Sequence, residues 1–163
     1  MSSDAREDIL ERLATLLGSI SGIKSAWRNR GELKDVDRPA VVLLDGVEDL
    51  TQDIPLRKTV KMPPAIFKLQ PQIFVLLQIR DNTDNLTLKQ QPAPVGPEIS
   101  SWRMKVLGAI VNDPQLLSLL TANGQIVFKG SKTDMQSGST IGVLGAQLQM
   151  DFDLYYVLQP PRS

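Results

Sequence analysis

The sequence predicts an α+β fold: a mainly antiparallel four- to five-stranded sheet, two main helices packed on one face, and an extended hairpin-like arm. Three observations carry this. An apolar stripe at three- and four-residue spacing opens the chain, a strict two-residue alternation closes it, and short β-rich runs between them are punctuated by Pro, Asn-Gly and Asp-Gly. Residues 1–163 are read as a single domain, because domains cluster near this size. A chain this long buries roughly two-thirds of its unfolded surface and needs no disulfide or metal staple.

The elements follow in order. Ile9, Leu10, Leu13, Leu16, Leu17 and Ile20 form the opening helical stripe. Asp4 and Glu7 are placed as a capping box, and Gly18 and Gly22 bracket the helix end. Ile23 to Asn29 reads as a short strand holding Trp27, a side chain expected in the core. Ala40-Val41-Val42-Leu43-Leu44, bounded by Pro39 and Asp45-Gly46, reads as a central strand, since Pro fits at a strand's first position where no ladder donor is lost. Residues 47–66 read as a protruding arm. Its acidic limb carries Glu48, Asp49 and Asp53, and its basic limb carries Arg57, Lys58 and Lys61 ahead of Met62-Pro63-Pro64. A Pro-led strand over Pro71 to Arg80 follows, clearest at Ile73 to Ile79, and then a long polar loop over residues 81–96, a length usual for functional loops.

Pro97 and Glu98 open a second helix whose broad apolar face holds Ile99, Trp102, Met104, Val106, Leu107, Ile110 and Val111. Asn112-Asp113-Pro114 stops it and caps a short helix with Leu116, Leu117, Leu119 and Leu120. Asn123-Gly124 turns the chain into a strand over Gln125 to Lys129, and a Gly/Ser-rich loop spans Gly130 to Gly142. From Ala146 every second residue to Leu158 is apolar, with Gln147, Gln149, Asp151 and Asp153 between them, so one face of a long strand lies in the core and the other is polar.

Composition excludes several chemistries. Eighteen basic residues balance eighteen acidic ones, and there is no His and no Cys. That removes thiol nucleophiles, Ser-His-Asp relays and the common zinc and haem ligand sets. Zero net charge argues against broad electrostatic attraction to nucleic acid or anionic lipid. The charged start, Met1 to Asp8, is unlike a signal peptide, and no run of about 18 apolar residues suggests a membrane span. A soluble, cytosolic-type protein is expected.

The remaining motifs are weak. Asp151 and Asp153 share a strand face, about 6.8 Å apart by strand rise, which suits an acid–base pair or, more simply, a solvated or subunit-facing surface. Asp81 to Asn85 resembles a calcium loop, but Leu86 and Pro92 replace its Gly and Glu. Gly130-Ser131-Lys132-Thr133 lacks the Gly directly before Lys that a phosphate loop needs. Trp27 with Arg28 and Arg30 could stack on nucleic acid, although the arginines are expected to be solvated or paired with Glu32 and Asp35. The arm stands apart, because charge, prolines and Met62 together suit a contact surface.

The whole pattern resembles the tail terminator proteins of tailed bacteriophages, the tail-completion or minor tail protein U-like family. The residues that carry the resemblance are the helix Arg6 to Ile20, Ser21-Gly22-Ile23, Arg28-Asn29-Arg30-Gly31, and the stretch Arg38-Pro39-Ala40-Val41-Val42-Leu43-Leu44-Asp45-Gly46-Val47-Glu48. The strand Pro71 to Arg80, the helix end Ile110-Val111-Asn112-Asp113 and the closing Met150 to Tyr156 complete it. The resemblance implies a non-enzymatic virion protein, without cofactor or metal, made in the host cytoplasm and placed at the tail and neck. Copies would form a six-fold ring that caps the head-proximal end of the tail tube. Its partners would be the major tail tube protein, a neck or head-completion protein, and genomic DNA passing through without sequence-specific binding. The expected contact residues are Glu48, Asp49, Asp53, Arg57, Lys58, Lys61, Met62, Asp151 and Asp153. Tail-to-head joining and head-closure proteins have comparable sizes and form the nearest alternative. A carboxylate and lysine enzyme using Asp151 and Asp153, or a nucleic-acid accessory factor, are more distant ones.

Overall fold

Among the described residues eight elements follow one another: α1 (Ala5–Gly18), β1 (Ser25–Arg28), β2 (Ala40–Leu50), β3 (Ala65–Arg80), α2 (Val95–Ile110), α3 (Pro114–Leu119), β4 (Ile126–Ser137) and β5 (Val143–Leu158). The structure, a computed structural model, describes residues 4–31, 38–51, 65–80, 95–120, 125–137 and 143–158. The strands form one sheet in the order β1-β2-β3-β5-β4. β1 runs parallel to β2, and the other three pairs are antiparallel. The α+β class read from the sequence is the one observed.

Alternation builds the core. Along β5, Ala146, Leu148, Met150, Phe152, Leu154 and Tyr156 are all buried, and β3 sets Leu69, Ile73 and Val75 opposite Leu154, Met150 and Leu148. α1 covers this face with Ile9, Leu10, Leu13 and Leu17, and α2 with Trp102, Val106 and Ile110. Burial of each such side chain contributes roughly 1.5–3 kcal/mol. Asp4 starts α1 by accepting from the backbone N–H groups of Arg6 (3.0 Å) and Glu7 (3.3 Å). Asp113 starts α3 by accepting from Leu116 N–H (2.8 Å), and its carboxylate also takes two hydrogen bonds from Arg12 of α1. Each partner holds the other charged: the Asp113 carboxyl is lowered and the Arg12 guanidinium raised.

Four expectations are corrected. β3 does not begin at Pro71 but at Ala65, and runs through that proline. The reason lies on β2, where the register slips from Leu44 opposite Gln72 to Val47 opposite Gln70, so Asp45-Gly46 forms a bulge facing Pro71. A proline N–H is not missed where the ladder is already interrupted. Likewise β4 does not stop at Lys129 but continues to Ser137, pairing its Gly/Ser-rich half with Leu144 to Asp151 of β5 beyond a bulge at Lys129. A sixteen-residue neighbour supplies ladder partners that local propensity does not anticipate. α2 starts at Val95, so Pro97 is its third residue, still in the first turn where an N–H has no intrahelical acceptor. Its apolar face is narrower than expected, because Met104 and Val111 are exposed. Finally, Trp27 is not core. It is exposed on the sheet face away from the helices, with the Arg30 guanidinium 4.0 Å over its ring.

The expected arm is, at its root, a β-hairpin of the sheet. Glu48, Asp49 and Leu50 pair with Leu69, Lys68 and Phe67, and Thr51 N–H donates to Ile66 O at 3.1 Å. Residues 52–64 of the arm, and 81–94 of the long loop, lie outside the described residues.

Candidate interaction surface

The most distinctive surface is the root of that hairpin, and the short length of β1 creates it. β1 pairs with β2 only from Ala40 to Leu43, so farther along the outer edge of β2 has no strand neighbour among the described residues. From Gly46 to Leu50 every residue is exposed, although beyond the bulge the inner edge of Val47 to Leu50 is laddered to β3. Val47 is 57 % exposed, and Leu50 and, across on β3, Ile66 are exposed as well. Glu48 and Asp49 stand between these apolar side chains.

A charge cluster braces the root from behind. Arg28 of β1 donates to both carboxylate oxygens of Glu7 on α1 and to both of Asp45 in the bulge, the latter at 2.8 and 3.0 Å. Arg28 hydrogen bonds hold the Glu7 and Asp45 carboxyls below their ordinary range, and those same bonds raise the guanidinium. Asn29, at φ 55°, accepts the Asp45 N–H on its Oδ1 at 2.9 Å. Arg6 adds longer contacts, 3.7 Å to Asp45 and 4.0 Å to Glu48. Arg28 is thus paired with Glu7 and Asp45; Glu32 and Asp35, the partners the sequence suggested, lie outside the described residues. Its partners lie 21 and 17 positions away, so no local sequence pattern marks them.

Of the residues expected to make contacts, Glu48 and Asp49 are at this root, whereas Asp53, Arg57, Lys58, Lys61 and Met62 lie outside the described residues. Asp151 and Asp153 sit two strands away, on the sheet face opposite the helices, and each has its own partners. Asp153, only 4 % exposed, accepts from Gln70 Nε2 at 3.4 Å and has Lys129 Nζ at 3.7 Å; Asp151 accepts from Gln149 Nε2 at 3.1 Å. Gln70, Asp153 and Lys129 make a polar ladder across β3, β5 and β4, while Asp151 is bonded along β5 to Gln149. Among the described residues no group of three or more Asp and Glu is placed to hold a metal ion, and no helix is long and apolar enough to cross a membrane.

A groove of about 430 Å³ opens on the same sheet face, floored by Val42, Leu44 and Phe74 and bordered by Asn29, Arg30, Gly31 and Gln147. A smaller cavity of about 150 Å³ lies between α1 and β1, and neither Asp151 nor Asp153 lines either one. No family model matches the chain, and no curated protein matches it.

Proposed function

We propose that this chain is a structural subunit whose copies assemble into a ring capping the head-proximal end of a bacteriophage tail tube. The ring would end tube polymerisation and present the surface for head or neck attachment. The observation that carries this reading is the hairpin root: a segment laddered to β3 over residues 47–50 and exposed on both faces, with Val47, Leu50 and Ile66 in solvent beside Glu48 and Asp49. Apolar side chains rimmed by charge on an ordered backbone suit a contact with another protein. A ring needs two unlike complementary surfaces on each subunit, and the segregated acids and bases of the arm sequence fit that need. Balanced net charge suits a lumen through which DNA slides without being read.

The test is assembly. Light scattering and negative-stain electron microscopy of the purified chain are expected to show rings whose mass is a multiple of the 18.0 kDa protomer. Val47→Asp with Leu50→Asp is expected to return it to protomers with unchanged circular dichroism. A chain that stays monomeric at every concentration overturns the reading.

A further inference from the structure

The outer edge of β4 has no strand neighbour along its twelve residues, among the described residues. Edge strands are usually short or bent, because an open ladder recruits other chains. The bulge at Lys129 bends only the near end of β4; from Gly130 to Ser137 it pairs with β5 without interruption. Lys132 and Asp134 stand opposite Gln149 and Gln147, on the sheet face away from the helices. Thr133, opposite the core residue Leu148, points to the helix side, as does Ser131 opposite Met150. All four are exposed, so no described helix closes over this part of the edge.

We propose that this segment is a contact surface for a second copy of the chain: two β4 strands join antiparallel about a two-fold axis at Thr133, fusing two sheets into one. Symmetry and charge set the register. A two-fold axis normal to the sheet keeps each side chain on its own face, so the axis must pass between one residue and its own counterpart. Centred on Lys132, two lysines oppose each other; centred on Asp134, two aspartates do, and both arrangements are repulsive. Centred on Ser131, Lys132 meets only Gly130, and centres farther along leave both charges unmatched. The Thr133 axis alone sets each Lys132 opposite the other copy's Asp134, with Thr133 facing Thr133 between the two pairs. Opposite charges and Thr–Thr are both favourable cross-strand pairs. Backbone regularity selects the same centre independently. Rows run from Gly130 opposite the second copy's Gln136 to Gln136 opposite its Gly130, and the next row meets the bulge.

Within one copy Lys132 reaches Asp134 only at 3.9 Å, with side chains 70 % and 50 % exposed, a weak contact that yields to a partner directly opposite. A single ladder of this length is small beside the roughly 1,200 Å² of stable complexes, so pairing belongs to high protein concentration. A two-fold contact closes on itself and joins protomers, or whole rings, in pairs without building a ring. It stands apart from the ring reading above.

The chain has no cysteine, so one introduced thiol reports the axis. In Thr133→Cys the facing Cα atoms lie about 4.5–5.5 Å apart in the paired state, within disulfide reach. In Ser131→Cys they lie four residues apart along the ladder, roughly 14 Å, beyond it. Mild oxidation of concentrated protein is expected to give a covalent dimer on a denaturing gel from Thr133→Cys and little from Ser131→Cys. By sedimentation equilibrium, Lys132→Glu and Asp134→Lys are each expected to weaken pairing about tenfold, since each replaces two opposite-charge pairs by two like-charge ones. An equimolar mixture of these two variants is expected to restore pairing, because every facing pair is then opposite in charge. The contact between Lys132 and Asp134 within a chain is broken in both and is not restored by mixing, so recovery reports the second copy. Equal linking at 131 and 133, or no recovery on mixing, overturns the proposal and leaves the ring reading untouched. Dimers linked at 133 in a chain that forms no ring uphold the pair and count against the ring. A wild type that is monomeric at every concentration overturns both.

Discussion

Replacing Gly46 with alanine tests whether the β2 bulge is held as described. Gly46 has φ +72°, and an alanine Cβ there would lie 1.9 Å from the Gln70 carbonyl oxygen, 2.8 Å from its carbonyl carbon and 3.2 Å from Pro71 Cα. All three are backbone atoms, so no rotamer change relieves the overlap. The left-handed backbone alone costs about 1–2 kcal/mol for a residue with a Cβ. The clash is relieved only by drawing β2 away from β3, which loosens two or so ladder hydrogen bonds at about 1 kcal/mol each. A total of about 3–4 kcal/mol lowers Tm by roughly 6–16 °C in a domain of this size. Gly108→Ala is the matched control, since nothing lies within 4 Å of the added Cβ on the exposed side of α2. There alanine is favoured by about 0.5–1 kcal/mol, and Tm rises by roughly 1–4 °C. Thermal unfolding followed by circular dichroism, with urea unfolding alongside, reads both. If Gly46→Ala stays within about 1 kcal/mol of the wild type, or falls no further than Gly108→Ala, the account of the bulge is wrong.

Acid is expected to destabilise the protein through the Arg28 cluster. Glu7 and Asp45 have lowered folded-state values, so their contribution is fully present above the unfolded carboxylate values near pH ~4 and is lost as pH falls through the lower folded ones. A plot of Tm against pH is then flat from neutrality to about pH 5 and drops below it, and Arg28→Gln lowers the plateau and makes the acid limb shallower; an unchanged limb refutes the linkage. Tyr156 is fully buried with its ring stacked on Phe67 at 5.4 Å, yet its hydroxyl has no hydrogen-bond partner among the described residues. An unsatisfied buried polar group costs roughly 1–3 kcal/mol, so Tyr156→Phe is expected to match or exceed wild-type stability in urea unfolding. A loss above about 1 kcal/mol would reveal a partner for the hydroxyl.

How far the sequence could be read depended on whether a residue's environment was set by its neighbours along the chain. The alternation from Ala146 to Tyr156 was legible because both of its faces are uniform: core on one side, a polar ladder on the other. Asp4 and Asp113 were legible as caps because a helix start is decided within four residues. Pro71 misled because its tolerance depends on a bulge 25 positions earlier in sequence, and Gly130 because β5 pairs with whatever β4 presents. Trp27 misled for a related reason. Its strand is short, and in the parallel register it is Ala26, opposite Val41, that shares the helix-covered face, while Trp27 lies opposite Val42 on the other. At the candidate surface, the acids at 48 and 49 were visible as composition. That β2 has no outer strand neighbour there among the described residues was not, because this follows only from where β1 stops.

Several departures from local rules gather where β1, β2 and β3 meet α1. Asn29 and Gly46 both have positive φ, the Arg28 cluster ties α1 and β1 to Asp45, and Pro71 breaks an otherwise regular strand. Each is a liability alone, yet together they make one defined corner of the sheet. Asp45 is fixed by Arg28 and Asn29, Gly46 lets the backbone meet Gln70 closely, and Pro71 offers no N–H for a regular ladder to demand. A hairpin needed only to connect two strands would require none of this. A hairpin whose first five exposed residues must be presented at a set angle, beyond the cover of β1, requires all of it. The overall balance of eighteen bases and eighteen acids thus conceals a local polarity: residues 46–50 carry Glu48 and Asp49 and no base, whereas residues 126–132 carry Lys129 and Lys132 and no acid.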